Sequence, residues 1–283
     1  MKKMLTFSSD FGYKDTYVAE VKGVIEACCK DVHIIDLTHG IEQGNLAAAS
    51  FVLLSASKYF PKGTVHLAVI DPGVGTTRKI IVVNTGQYTF IGPDNGILYE
   101  PADSDGIKNI WEVDIERFLK KMPEAFPKSD VIKKILKQGV SSTFHGRDLF
   151  APLSGYVLNG FSMGDIANTA RSMVKIEISK PAVSGDKIFG KVIYIDRFGN
   201  LITNIPNEIV RHDGEVFLKT GRKMISIGVL NSGAMSGTYA NVSRGKPVPL
   251  TGSRGYVEIA VNCGSAAEYF GAVYDDEILV LKR

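Results

Sequence analysis

Acidic side chains close several apolar runs of this 283-residue chain: Asp10 after LTFSS, Asp36 after HII, Asp71 after HLAVI and Asp196 after KVIYI. In an open α/β sheet, ligands bind outside the carboxyl ends of the strands. Asp10 and Asp71 could therefore share one site, which Asp196 would join from a separate part of the chain. Taken singly, each is more simply read as an ordinary turn or helix-cap aspartate. Asp71 opens the stretch VIDPGVGTTR (69–78), which reads as a phosphate cradle, a turn or a catalytic loop. Its Gly73, Gly75 and Arg78 make G-x-G-x-x-R, whereas a dinucleotide fingerprint wants glycine or alanine at the third position and a helix after the turn. Pro72 and the β-rich run that follows spoil that context, and the Gly-Lys-Ser/Thr of a P-loop is absent.

The histidines are His33, His39, His66, His145 and His212, and none has an H-E-x-x-H or comparable metal-ligand spacing. His33 and His66 begin strand-like runs, where a hydrogen-bonded structural imidazole is expected. His145 stands apart, because STFHGRD places it where a loop enters a helix, a position that concentrates functional side chains. GFSMG (160–164) matches the nucleophile-elbow pattern G-x-S-x-G, with Asp196 and His212 following in the order of an α/β hydrolase. The residues before it read as helix where that motif needs a strand, so a helix-ending loop is the simpler reading. Cys28, Cys29 and Cys263 have neither disulfide nor zinc spacing and read as packing residues.

Alternating strands and helices must position these groups. LTF (5–7), HIIDL (33–37), TVHLAVI (64–70), IIVVN, YTFIG and IWEV read as β runs, while 16–29, 45–59 and DLFAPLSGYVLN read as helices. After residue 176 the pattern changes to short strands separated by glycine turns: KIFGKVIYID, NLITNI, EVFLKT, KMISIGVL, YVEIAVN and EILVLKR. The expected fold is an α/β N-terminal domain, residues 1–176, with a mixed or mostly parallel sheet flanked by helices. A small all-β, barrel-like C-terminal domain, residues 183–283, follows a boundary at the SKPAVSGD stretch. With 45% hydrophobic and 22% charged residues the chain is expected to be globular. Its net charge of +3 comes from 33 basic and 30 acidic residues spread along the chain, which argues against a nucleic-acid partner. MKKMLTFSSDFG reaches Asp10 before any signal-peptide apolar region forms, and no apolar run of about 18 residues exists, so no membrane partner and a cytoplasmic location are expected.

SSDFG (8–12), VIDPGVGTTR (69–78), GPDNG (92–96), TFHGRDLFAP (143–152), IDRFGNLITNI (195–205) and GSRGYVEIAVN (252–262) resemble, in order, the signature blocks of the S-adenosyl-L-methionine (SAM) hydroxide adenosyltransferases. These SAM hydrolases are relatives of the fluorinase and chlorinase enzymes. The resemblance spans nearly the whole chain. It implies an α/β domain, a β-barrel domain and a homotrimer whose sites form between the N domain of one subunit and the C domain of the next. It also implies that Asp71, Arg78 and His145 form a water-activating triad, which makes VIDPGVGTTR a catalytic loop. The halogenase branch carries tyrosine in place of the histidine, a threonine where this chain has Val74 and, in the fluorinase, a tryptophan where it has Gly44. All three departures favour water over halide as the nucleophile.

Substrate contacts are implied residue by residue. Asp10 resembles the aspartate that grips both ribose hydroxyls, Asp15 and Asp196 the acids near the methionine amine, and Ser253 with Arg254 the pair at its carboxylate. Asn200 resembles an adenine-recognising amide, and Phe144, Phe198 and Tyr239 fall where the family encloses adenine and ribose. Val261 replaces a fluorinase arginine, and IDRFGN is one residue shorter than its fluorinase counterpart. The implied reaction converts SAM to adenosine and L-methionine by attack of water or hydroxide at C5′. Methionine leaves as a neutral thioether, so the chemistry calls for no metal and no cofactor, SAM being the substrate. What remains is to favour hydroxide, water having a pKa of about 15.7 in bulk. Arg78 would stabilise charge, His145 accept the proton or position the water, and Asp71 hold either partner in place. The alternatives are a halogenase forming 5′-halo-5′-deoxyadenosine, a non-catalytic SAM- or adenosine-binding protein, and a serine hydrolase built on Ser162.

Overall fold

A computed structural model describes residues 3–176, 179–210, 213–230 and 237–282. The chain divides into two compact units, Met1–Ile176 and Glu177–Arg283.

The first unit runs β1 (Lys3–Ser9), α1 (Tyr17–Cys28), β2 (Val32–Thr38), α2 (Leu46–Ser57), β3 (Val65–Val69), β4 (Ile80–Asn84), β5 (Thr89–Pro93), α3 (Tyr99–Ser104), β6 (Asn109–Val113), α4 (Ile115–Ala125), α5 (Asp130–Gln138), α6 (Ala151–Leu158) and β7 (Ala167–Ala170). One seven-stranded sheet has the order β2-β1-β3-β5-β4-β6-β7. β2, β1, β3 and β5 are parallel neighbours, while β4, β6 and β7 join antiparallel, so the sheet is mixed. β1 and β3 are central and covered on both faces, and this is why their sequences read as continuous apolar runs. Leu5, Phe7 and Leu67 are fully buried there, each such side chain contributing about 1.5–3 kcal/mol through burial. Helix α1 buries Val18, Val21, Val24, Ile25 and Cys28 at helical spacing. Helices α2, α4 and α5 start at side-chain caps, Asn45 accepting from Ala48 N, Asp114 from Arg117 N and Ser129 from Ile132 N.

The chain leaves β1 for β2 on one side and returns for β3 on the other. The carboxyl ends of β1 and β3 are thus a topological switch point, where the helix connections diverge and open a crevice.

The second unit contains β8 (Ala182–Ser184), β9 (Lys187–Ile195), β10 (Leu201–Pro206), β11 (Gly214–Thr220), β12 (Lys223–Leu230), β13 (Pro247–Thr251), β14 (Tyr256–Val261), a short α7 (Ala266–Phe270) and β15 (Glu277–Lys282). Its antiparallel sheet runs β12-β11-β15-β9-β10-β14-β13, with β8 added to β9, around a core that includes Ile188, Leu201, Val216, Val257 and Val280. The edges come together, with Gly228 of β12 facing Pro249 of β13. They do not zip up: Pro247 and Pro249 stand two apart on β13, so the edge turned away from β14 lacks the N–H groups a ladder to β12 needs. The result is a nearly closed barrel. β8 takes up Ala182–Ser184 of the SKPAVSGD stretch by pairing with β9, so that stretch is partly a strand.

Among the described residues, no helix is long and apolar enough to cross a membrane. Cys28 and Cys29 are core residues, and burial pushes the Cys28 thiol up to about 12. Cys263 departs from the packing role expected of it. It is exposed in a left-handed turn (φ 57°), where no core is available to cover it. His66 is a structural imidazole, fully buried, bonded through Nδ1 to Thr6 Oγ1 (2.7 Å) and stacked on Phe90. His33 instead is exposed on edge strand β2. His212 lies outside the described residues.

Candidate active site

Asp10 follows β1 directly and Asp71 follows β3 by two residues, so both carboxylates reach the switch-point crevice. The crevice is a cleft of about 600 Å³, lined among others by Asp10, Phe11, Tyr17, Asp71, Phe144 and His145. The loop from Asp71 to Arg78 turns back on itself through Gly75, whose φ of +77° suits glycine, and a Cβ there would collide with the Ser142 carbonyl. This close approach brings the Asp71 loop against the segment that carries His145.

Arg78 is the hub. Its Nε donates to both Asp71 oxygens (2.9 and 3.0 Å) and its Nη2 to Asp71 Oδ2 (2.5 Å), a forked ion pair whose side chains are only 10% and 6% exposed. Nη2 also lies 2.7 Å from His145 Nδ1. A guanidinium has donors and no acceptor, so Nδ1 must accept, and the neutral imidazole carries its proton on Nε2. His145 is buried, yet its Nε2 is not among the sealed, unpartnered polar atoms, and its residue lines the cleft. Nε2–H is thus the group turned to the substrate space. Burial first and the Arg78 charge second hold the His145 pKa below its ordinary value, against an upward pull from Asp71 and Asp148. Arg78 lies behind the lining, its guanidinium carbon 5.2 Å from the Phe150 ring centre, and its Nη1 is buried without a partner among the described residues.

His145 precedes a π-helical turn, Gly146–Phe150, that runs directly into α6. Such turns often mark functional sites because the extra residue re-aims a side chain. The buried Asp148 accepts from Ser141 N (2.8 Å) and pairs with Arg147, which reaches Glu20 of α1 and sits 5.1 Å above the Phe144 ring. Phe144, Tyr17 and Phe11 pack edge to face, at 5.0 Å for Tyr17 and 5.9 Å for Phe11, into an apolar wall. On the opposite side, Asp10 Oδ2 accepts from Gly44 N at 2.9 Å.

The first unit therefore brings Asp10, Asp71, Arg78, Phe144 and His145 together. Asp15 is exposed and outside the lining. Phe11, Tyr17, Gln43 and Thr143 also line the cleft and were missed in the sequence; the aromatic spacing of FGYKDTY was the signal available for the first two.

The second unit places Phe198, Asn200 and Tyr239 around a cavity of about 450 Å³ that Val261 and Cys263 complete. Asp196 locks the intervening turn, Oδ1 accepting from Phe198 N and Asn200 N (2.9 Å each) and Oδ2 from Asn200 Nδ2 (3.1 Å). Tyr239 donates to Glu258 Oε1 (2.8 Å), and burial together with that carboxylate pushes the phenol up to about 12. Ser253 and Arg254 are exposed in the β13–β14 turn, the Arg254 guanidinium 5.2 Å from the Tyr194 ring centre. The GFSMG stretch follows the end of α6 and runs into a short 3₁₀ turn, Met163–Asp165, and the Ser162 carbonyl accepts from Tyr156. That is not the strand-to-helix elbow a serine nucleophile requires. Among the described residues no group of three or more His, Cys, Asp or Glu is placed to hold a metal ion.

The chain is similar to known proteins along nearly its whole length. Residues 5–167 match the SAM hydroxide adenosyltransferase N-terminal domain and residues 190–279 its C-terminal domain. The chain is 34% identical to the (R)-S-adenosyl-L-methionine hydrolase of Thermus thermophilus, over 94% of each protein, and 32% identical to that of Methanocaldococcus jannaschii, over 98% of this chain and 95% of the relative. A fluorinase from Actinopolyspora mzabensis is 25% identical over 94% of this chain and 93% of its own. The crystal structure of an uncharacterized conserved protein from Thermotoga maritima superposes with a TM-score of 0.83 at 34% identity, covering 99% of this chain and all of that one.

Proposed function

The chain belongs to the SAM hydroxide adenosyltransferase family, and from that premise we propose that it hydrolyses S-adenosyl-L-methionine to adenosine and L-methionine at the switch-point cleft. The observation that carries the reading is the Asp71–Arg78–His145 chain at the base of the cleft beside Asp10. Oxygen attacks C5′ as the C5′–S bond breaks, the electron pair leaves on sulfur, and methionine departs as a neutral thioether. The proton of the attacking water is lost to solvent.

The tautomer decides the role of His145. Its Nε2 already carries the proton and its one basic nitrogen, Nδ1, is engaged by a permanent cation, so the ring has no free lone pair with which to take a proton from the water. In this reading His145 is therefore a donor: Nε2–H holds the oxygen of the nucleophile and, backed by Arg78, favours its hydroxide form. Asp71 keeps Arg78 from turning into the cleft. Asp10 takes the ribose hydroxyls with the lone pairs that Gly44 leaves free, and the Phe11–Tyr17–Phe144 wall excludes water from the far side. Val74 and Gly44, the positions where the halogenase branch differs, both line the cleft.

The finer parts of the proposal follow the same family. SAM is the only small molecule required, the protein acts in the cytoplasm, and it assembles as a homotrimer. Asp15, Asp196, Phe198, Asn200, Tyr239, Ser253 and Arg254 complete the substrate contacts. The names of the hydrolase relatives specify the (R) form, and the same preference is proposed here. Incubation with SAM in water enriched in oxygen-18, with and without chloride, tests the reading. Labelled adenosine with methionine, indifferent to chloride, supports it. A 5′-halo nucleoside, or tight binding without product, overturns it. Sedimentation of a fully active monomer would overturn the trimer.

A further inference from the structure

The tip of β1 carries further polar ties beside Asp10, whose carboxylate accepts from Gly44 N. The neighbouring Ser9 is fully buried at the end of β1, and Ser9 Oγ lies 2.7 Å from Nδ1 of His39, itself fully buried. Ser9 Oγ also accepts from Phe11 N at 3.3 Å. On the other side of the ring, His39 Nε2 stands 3.2 Å from Asp36 Oδ1, close enough to pair although off the line of a good hydrogen bond. Neither atom has another partner among the described residues. Asp36 Oδ2 takes Lys22 Nζ at 2.7 Å and Tyr13 OH at 3.4 Å. The donor pattern has one self-consistent solution: Asp36 accepts from Nε2–H, Nδ1 accepts from the Ser9 hydroxyl, and the Ser9 oxygen accepts from Phe11 N–H. The backbone adds a second tie, Gly12 N donating to His39 O at 2.8 Å. The segment His39–Gly44 thus grips the tip of β1 at both ends, by imidazole and carbonyl at His39 and by the N–H of Gly44 on Asp10 itself.

We propose that Asp36, His39 and Ser9 form a positioning relay that fixes the Asp10 carboxylate in the cleft, and so sets affinity for the ribose of the substrate without touching the reacting atoms. The inference rests on the reading of Asp10 as the ribose-binding carboxylate. Two fully buried polar groups, Ser9 and His39, backed by the partly exposed Asp36, are more than strand termination needs, and they converge on two residues that both line the cleft. Lys22 and Tyr13, at the solvent end, anchor Asp36 and so the direction of the relay.

The test is a steady-state comparison of wild type, Ser9→Ala, Asp36→Asn, Asp10→Ala and the doubles of the first two variants with Asp10→Ala. Ser9→Ala leaves Phe11 N–H and His39 Nδ1 without their partner, and a KM about tenfold higher is expected, with kcat within about twofold. Asp36→Asn, at the partly exposed end, keeps the shape and should raise KM about threefold by weakening the same chain. In the Asp10→Ala background each should add less than about twofold, because a relay acting through Asp10 has nothing left to position. If Ser9→Ala does not fold, Asp36→Asn and its double decide in the same way. Folded variants with unchanged KM, or effects that multiply in full on top of Asp10→Ala, overturn the relay. Absence of turnover by wild type would overturn the proposed activity instead, and the same cycle is then read as Kd for SAM by calorimetry.

Discussion

Replacing Asp71 by asparagine removes one charge and almost no volume from the Asp71–Arg78 pair. Both side chains are nearly sealed, so solvent does little to screen what is left. The guanidinium keeps one oxygen acceptor but loses the charge and the second oxygen, in whose place the amide NH2 presents donors to donors. Breaking a buried pair from one side costs about 3–5 kcal/mol. For a unit of this size that corresponds to roughly 6–20 °C in the melting temperature of the first unit. Arg78→Met, Asp71→Asn combined with it, and both singles belong in one double-mutant cycle read by thermal unfolding. The double should be more stable than Asp71→Asn alone, because the uncompensated charge is gone. The same variants have opposite expected effects on His145, read from its imidazole carbon signal by NMR. Arg78→Met removes a charge that holds its pKa down, so the value rises toward 6.5; Asp71→Asn removes an anion that pulls it up, so the value falls further. A Tm shift below about 2 °C for Asp71→Asn, or His145 shifts of the same sign in both variants, would refute the buried-hub reasoning.

Other consequences are open to the same kind of measurement. His145→Gln retains a donor where Nε2–H stands but offers no base, so turnover should stay within about tenfold of wild type; a loss of 10²-fold or more would mean that the imidazole does accept the proton. His66, whose pKa burial lowers to about 4, binds its proton more readily unfolded. Its contribution is complete above pH 6.5 and is lost as pH falls from there toward 4, about 3 kcal/mol in all. His66→Leu should flatten the slope of stability against pH over that window, and an unchanged slope in urea titrations would contradict the assignment. Gly75→Ala combines a left-handed backbone with a collision at Ser142, and a destabilisation of about 2 kcal/mol or more is expected together with lost turnover. Given a mixture of sulfonium epimers, the enzyme should deplete the (R) form and leave the other, which chiral chromatography resolves; equal depletion would remove the proposed preference.

The central strands were legible because burial on both faces writes itself as unbroken apolar runs, and LTFSS and TVHLAVI are such runs. Helices α4 and α5 were not read in advance. Each buries only two residues, Phe118 with Met122 and Ile132 with Ile135, amid lysines and glutamates, and Pro123 interrupts the first of them. Strand β13 was passed over for a related reason: Pro247 and Pro249 argue against a ladder, and only the position at the barrel's edge, where no donor is needed, makes them compatible with one.

The acids differ in the same instructive way. A strand-end aspartate in a sequence carries no mark of whether it turns to a ligand or to its own backbone. Asp196 spends three hydrogen bonds on its own turn, Asp36 faces an imidazole, Asp71 faces a guanidinium, and of the four only Asp10 and Asp71 line the first unit's cleft. Strand order separates them, since β1 and β3 flank the point where the connections diverge, and a sequence does not print strand order. The same lack hid His39. Read along the chain it is one more histidine after a strand, and its meaning arises only when β2 is laid beside β1 so that the ring falls between Ser9 and Asp36. Residues that position other residues are in general harder to read than those that meet the substrate, because their partners are distant in sequence and their chemistry is ordinary. The prediction that Ser9→Ala acts only while Asp10 is present is therefore the sharpest available check on what the fold adds to the motif.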